Sequence, residues 1–151
     1  MLFTAIGKFV AFMFRKTHYE TVIADIFGLG NFIRNCTIGK IGVTQFFPSP
    51  LFQQELRVFK KYPSNLKEPT QRQEFTLSKL AQVCSLSEEV THKILLQIAK
   101  TIANFVRQER KQVIVDLKLP SNEVLHFTGE AVLMTERDKI PGLAATIGHL
   151  Q

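Results

Sequence analysis

The residues of this sequence that could do chemistry are scattered rather than grouped. The four histidines, His18, His92, His126 and His149, are far apart, and none has a second histidine or a cysteine at the spacing of metal ligands. Cys84 and His92 suggest a nucleophile with a base, but a single cysteine on an apolar helical face is far more often a packing residue. The sequence therefore predicts neither a metal site nor a cysteine-based catalytic site.

Two further patterns point to chemistry, and simpler interpretations account for both. Asp116 and Glu130 would lie near each other across a predicted hairpin, where we expect two solvent-facing strand positions. The segment Gly28-Leu29-Gly30 begins like a dinucleotide fingerprint, which fails because Ile33 occupies the place of the third glycine and no helix follows. No phosphate loop, nucleophile elbow or zinc-protease motif occurs. We therefore predict a protein that is not an enzyme and needs no cofactor.

Composition and charge describe a basic globular protein. Of the 151 residues, 45% are hydrophobic and 21% are charged, so a buried core is expected. Two cysteines 48 positions apart exclude a disulfide framework and favour a reducing compartment, and no apolar stretch is long enough to cross a membrane. The net charge of +6 is concentrated in residues 1–74, which hold ten basic and five acidic residues. It indicates either an ordinary solvated surface or an acidic partner, such as nucleic acid, an anionic membrane or a microtubule.

The first half of the chain predicts a helix, a set of strands and a second, short helix. Apolar residues recur at helical spacing over residues 2–14, and runs rich in β-branched and aromatic residues indicate strands. The predicted elements are a helix over 2–14, strands over 21–27 and 38–47 with a segment 31–34 resuming after the glycines, and a helix over 51–61. Residues 62–74 contain Pro63 and Pro69 and lack apolar periodicity, so they predict a linker.

The second half predicts two helices followed by a hairpin. A short helix begins at Leu77, and a long apolar stripe follows an elbow at Leu86-Ser87, where either Ser85 or Ser87 begins the second helix. Strands are predicted over 113–119 and 124–135, with a break at Gly129. The predicted organisation is a unit over 1–61, a linker over 62–74, a unit over 75–138 and a tail over 139–151.

A family resemblance is carried by two short motifs and by the order of the elements. The segment Phe27-Gly28-Leu29-Gly30-Asn31-Phe32 resembles the glycine-phenylalanine signature in the hairpin of bacterial HU and integration host factor proteins, and Pro50-Leu51-Phe52 resembles their Pro-x-Phe. Residues 76–119 follow the N-terminal plan of the same family. The paired arrangement is most similar to the tandem HU-like domains of the eukaryotic family of coiled-coil domain-containing protein 81. The resemblance implies an α+β fold of two small HU-like units, with helices packed on short antiparallel hairpins. Its signature residues would be Gly28, Gly30, Phe32, Pro50 and Phe52.

The departures from the family concern the DNA-binding parts. HU-type proteins bend DNA with long β-arms that carry an intercalating proline, whereas only a few residues separate the strands here and no proline lies at their tip. After the Pro-x-Phe, the family's Gly-Lys pair is replaced by Glu55-Leu56. The first unit also lacks the family's first helix. We therefore expect an HU-like scaffold without the DNA-bending apparatus.

The resemblance implies a non-catalytic structural protein of the cytoplasm and cytoskeleton, because this eukaryotic family is associated with cilia and microtubules. We expect it in the ciliary axoneme or another microtubule assembly, with tubulin or axonemal proteins as partners and no membrane or small-molecule substrate. Five basic residues are predicted to face an acidic partner: Arg34, Lys40, Arg57, Lys60 and Lys61. The alternative is an HU-like DNA-binding protein. A third interpretation is a cleaved mitochondrial presequence, because no acidic residue precedes Glu20.

Overall fold

Helices and strands are mixed along the chain in a computed structural model that describes residues 2–16, 20–35, 44–60 and 70–140. The helices are α1 (Leu2–Lys16), α2 (Pro50–Leu56), α3 (Leu77–Cys84) and α4 (Glu88–Arg107), with a 3₁₀ turn at Arg137–Lys139. The strands are β1 (Thr21–Ile26), β2 (Gly30–Arg34), β3 (Thr44–Pro48), β4 (Thr70–Phe75), β5 (Val113–Val115), β6 (Glu123–Phe127) and β7 (Val132–Glu136). The predicted α+β class is confirmed.

Short polar side chains begin three of the helices. Ser49, Thr76 and Ser87 each accept a hydrogen bond from a backbone amide in the first turn, of α2, α3 and α4 respectively. At the elbow, Ser85 has a φ of 55° and ends α3, and the amide of Leu86 donates to the carbonyl of Ala81 at 3.0 Å. Of the two serines considered for the start of the long helix, Ser87 is therefore the cap, and Ser85 belongs to the end of the preceding helix.

Two sheets organise the strands. The first has the order β3-β2-β1-β4, with β1 antiparallel to β2 and parallel to β4, and the second is an antiparallel meander of β5, β6 and β7. Strand β4 occupies residues 70–75 and so overlaps the predicted linker, whose residues 62–69 lie outside the described residues. Its central side chains are exposed and polar, and backbone pairing with β1 holds it without an apolar pattern. Residues 70–74 of the predicted linker therefore belong to a strand of the first sheet.

One hydrophobic cluster contains side chains from both halves of the chain. It joins Ile6, Val10 and Phe32 of the first half to Leu95, Ile102 and Phe127 of the second. The ring of Phe127 lies 5.6 Å from that of Phe52 and 6.5 Å from that of Phe46. Arg107 also donates to the carbonyl of Glu55 at 3.0 Å, which ties α4 to α2. The division into two HU-like units stays a prediction, and the described halves share a core.

Candidate interaction surfaces

The five signature residues surround the β1–β2 turn and the start of α2. Gly28 lies in the turn with a φ of 74°, and Gly30 begins β2 opposite Pro48 with a φ of 146°. A Cβ on Gly30 would overlap the carbonyl oxygen of Phe47. Pro50 is the first residue of α2. The side chains of Phe32 and Phe52 are fully buried, as a role in the core requires.

Arg34 does not belong to the predicted basic surface, because its side chain is turned into the protein. The residue is only 8% exposed, and its guanidinium donates a hydrogen bond of 2.7 Å to the carbonyl oxygen of Phe14. The same guanidinium lies 5.0 Å from the centre of the Phe14 ring. Arg34 therefore attaches β2 to the C-terminal end of α1, where carbonyl groups and the helix dipole favour a cation.

The other predicted basic residues do not form one exposed cluster in the part of the chain that is described. Lys60 is half-buried, and its ammonium group donates to the carbonyl of Val132 at 3.1 Å and lies 4.8 Å from the Phe47 ring. Desolvation by burial lowers the pKa of Lys60. Arg57 is exposed at the end of α2, while Lys40 and Lys61 lie outside the described residues. Only Arg57 is a described, exposed member of the predicted surface.

A different basic surface lies along α1. A groove of about 560 Å³ separates the exposed face of this helix from the segment 116–120. We call it the α1 groove; its lining includes Phe3, Gly7, Lys8, Ala11, Phe12, Arg15 and Lys118. The predicted basic residues do not include Lys8, Arg15 or Lys118, because nothing local in the sequence indicates that the first helix meets the segment 116–120.

The carboxylate of Asp116, a lining residue of this groove, is buried rather than solvent-facing, which corrects the prediction for this residue. Arg137 donates to both of its oxygens, at 3.0 and 2.8 Å, and the amide of Lys118 donates at 2.8 Å. Burial alone would raise the pKa of Asp116, but these hydrogen bonds and the attraction of the two cations outweigh it and lower the pKa. Asp116 therefore stays ionised with its charge balanced internally.

Exposed apolar side chains gather at the elbow between α3 and α4. Val83, Leu86, Val90 and Ile94 are between 37% and 53% exposed. We call them the elbow patch. Val90 and Ile94 are one helical turn apart on α4. They lie next to the buried apolar stripe of the same helix, which includes Leu95. Their exposure is not explained by the packing of the described chain on itself, since α4 already buries a complete apolar stripe.

His92, His126 and Cys84 are surrounded by packing and hydrogen-bonding partners, whereas His18 and His149 lie outside the described residues. Cys84 is buried in α3, and His92 lies beside Phe27 with ring centres 5.7 Å apart. His126 contacts Gln112 at 2.8 Å and Thr135 at 3.3 Å, and desolvation lowers its pKa. Among the described residues, no group of three or more histidines, cysteines or acidic residues could hold a metal ion.

Comparison with protein-family models gives no match, and comparison with curated proteins gives none either. Among the residues that the structure describes, no helix combines the length and apolar character needed to span a bilayer.

Proposed function

We propose that this protein is a non-catalytic docking component of a microtubule-based assembly, such as the ciliary axoneme, built from HU-like units. Its partners would be tubulin or other axonemal proteins, and its place the cytoplasm and cytoskeleton. The choice of assembly rests on the family resemblance. In support of that resemblance, the glycine-phenylalanine segment forms a tight turn into β2, and Phe32 is buried in the core. The elbow patch is the surface that would contact the neighbouring protein.

The elbow patch is the observation that carries this proposal. Soluble proteins scatter single apolar residues over their surfaces, whereas a concentration of them marks a protein-binding site. Here four such residues fall within the twelve positions from Val83 to Ile94, on two helices and on the elbow between them, which the Ser85 turn and the Ser87 cap fix. A surface held on rigid helices is suited to permanent assembly with a neighbouring protein.

The alternative function is DNA binding of the HU kind, favoured by the net charge of +6. Binding of this kind would need basic side chains that contact the phosphates of DNA, and its affinity would fall steeply as the salt concentration rises. Two of the residues expected to do this, Arg34 and Lys60, are engaged within the protein. A gel shift with duplex DNA decides the matter: binding at physiological salt that is lost in Lys8→Glu would promote this alternative above docking.

Fractionation of the native protein tests the proposed function. Axonemes extracted with detergent should retain the protein, and crosslinking should join residues near the elbow to an axonemal neighbour. Histone-containing chromatin from the same cells serves as the comparison fraction. Recovery of the protein with chromatin, or its full release by detergent, would contradict the proposal.

A further inference from the structure

We propose that the α1 groove binds an acidic segment of a partner protein, with an apolar side chain of that segment seated beside Phe3 and Phe12. The inference rests on the proposed docking function and names the chemistry of one partner segment. It is independent of the elbow patch, because the two surfaces share no residue.

The walls of the groove are set by a close approach of backbone to backbone. Gly7 lies against the carbonyl of Leu117, and any Cβ at position 7 would overlap that oxygen. Leu117 and Leu119 are buried in the main cluster, so the second wall is anchored in the core. The groove is therefore formed before a partner arrives, which reduces the ordering cost of binding. Its volume of about 560 Å³ suits a few side chains.

The lining combines apolar and aromatic surface with cations. Phe12 is 57% exposed and Phe3 is half-buried, with Ala11 between them along the helix. Lys8 and Arg15 are exposed on the same helix, and Lys118 lies on the opposite wall with its side chain 62% exposed. Cationic groups on both walls around aromatic side chains match a ligand that carries carboxylates on either side of an apolar group.

Among the described residues, Asp116 is the one carboxylate that lines the groove, and it does not cancel this charge. The side chain of Asp116 is fully buried, and Arg137 neutralises it from outside the groove lining. Its pKa is lowered, since burial is outweighed by hydrogen bonds from Arg137 and Lys118. Lys118 itself lies 3.5 Å from Asp116 and shares the pairing with Arg137, so Lys8 and Arg15 are the cations that no acidic residue of the described lining offsets, and they make the groove net positive toward an approaching ligand.

A peptide fits these features better than duplex DNA or a second copy of the chain. Phosphates carry charge but offer no apolar group for Phe3 and Phe12. Residues 1–74 hold ten basic and five acidic residues, and this excess of positive charge disfavours binding of the first half of a second copy in the groove. An acidic peptide with an apolar anchor satisfies both the charge and the aromatic lining.

The test uses a fluorescent octapeptide with central leucine and phenylalanine flanked on each side by three glutamates. Fluorescence anisotropy at about 0.15 M ionic strength should show saturable binding that weakens as salt rises. The double variant Lys8→Glu with Arg15→Glu should lose on the order of tenfold in affinity. The matched control, Lys79→Glu with Lys100→Glu, makes the same charge change on exposed lysines of α3 and α4 and should retain binding.

Two further variants separate the apolar contribution from simple charge attraction. Phe12→Ala in the protein, or serines in place of the central leucine and phenylalanine in the peptide, should each weaken binding severalfold. Equal binding of the all-polar peptide, or equal loss in the two charge-reversal pairs, would overturn the proposed groove. Tighter binding of a duplex DNA of matched charge would replace it with the nucleic-acid alternative.

The groove and the docking function can fail separately. No saturable peptide binding up to about 1 mM, together with normal retention in axonemes, would remove the groove and leave the docking function. Release of the unaltered protein from axonemes would remove the docking function whatever the peptide does.

Discussion

At the scale of single residues, Asp116 shows how one buried charge can hold a local fold. An isolated carboxylate in a protein interior is costly, so its partners have to be in place. Arg137 bridges Asp116 and also donates to the side chain of Asn122. These contacts join the segment after β5 to the turn before β6 and to the 3₁₀ turn after β7. The segment that forms one wall of the α1 groove is thereby fixed.

The Asp116 carboxylate should make the stability of the protein depend on pH, and replacing it should remove that contribution. Because the folded pKa of Asp116 is lowered, its contribution is complete above the pKa of the unfolded chain and is lost as pH falls through the folded value. We expect Asp116→Asn to lower the free energy of unfolding at pH 7 by on the order of 2 kcal/mol. Urea unfolding from pH 7 to pH 3 should show the difference shrinking below about pH 4; a difference that grows there would contradict the assignment.

Gly7 is the second residue whose role can be tested alone. Alanine at this position would push α1 away from the carbonyl of Leu117, and overpacking of this kind costs about 1–3 kcal/mol. Gly129→Ala is the control, since its Cβ would have no atom nearer than the carbonyl oxygen of Val106 at 4.0 Å. Denaturant unfolding of both variants measures the effect. An equal change in the two would mean that the close approach does not matter.

At the scale of elements, the sequence predicts most of the helices and strands but not the way they end or pair. Apolar periodicity located α1 and α4, and β-branched runs located β1 and β6. Strand β5 ends at Val115 rather than at residue 119, because the chain turns at Lys118, with a φ of 58°, to pack against α1. The parallel pairing of β4 with β1 is a long-range event that leaves no local pattern.

The candidate surfaces were predicted less well than the elements, for a reason that Arg34 illustrates. A basic residue is normally solvated, and the burial of Arg34 depends on a carbonyl 20 positions earlier in the chain. Lys60 is likewise held by Val132, which is 72 positions away. Side-chain burial of this kind is decided by tertiary contacts. The structural roles of the glycines and aromatic residues of the signature were easier to predict from the sequence, because a turn and a core position each require particular residue types locally.

The cap of the long helix gives a prediction at the same scale. Ser87 accepts from the amide of Val90 at 3.2 Å, and Glu88 and Glu89 lie in the first turn. We expect Ser87→Ala to cost about 1 kcal/mol, which in a chain of this size lowers Tm by roughly 2–4 °C. Ser78→Ala, on an exposed position inside α3, should leave Tm unchanged or raise it slightly. Thermal unfolding followed by circular dichroism would contradict the capping role if both variants melted alike.

At the scale of the whole molecule, the shared hydrophobic cluster predicts that both halves unfold together. Phe52 and Phe127 contact each other across the halves, and residues of α1 and α4 belong to one cluster. Hydrogen exchange should therefore give similar opening free energies for the most protected amides of β1 and of α4. Clearly separate values, with two unfolding transitions, would instead indicate two independent units.

Two leucines of similar exposure allow the most direct test of docking through the elbow patch. Leu86 of the elbow patch is 43% exposed, and Leu133 of β7 is 46% exposed. The Leu86→Gln and Leu133→Gln variants should fold alike, because neither side chain belongs to the buried core. Retention of each variant in detergent-extracted axonemes is then measured against the unaltered protein. We expect Leu86→Gln to be released and Leu133→Gln to be retained, whereas equal retention of the two would contradict docking through the elbow.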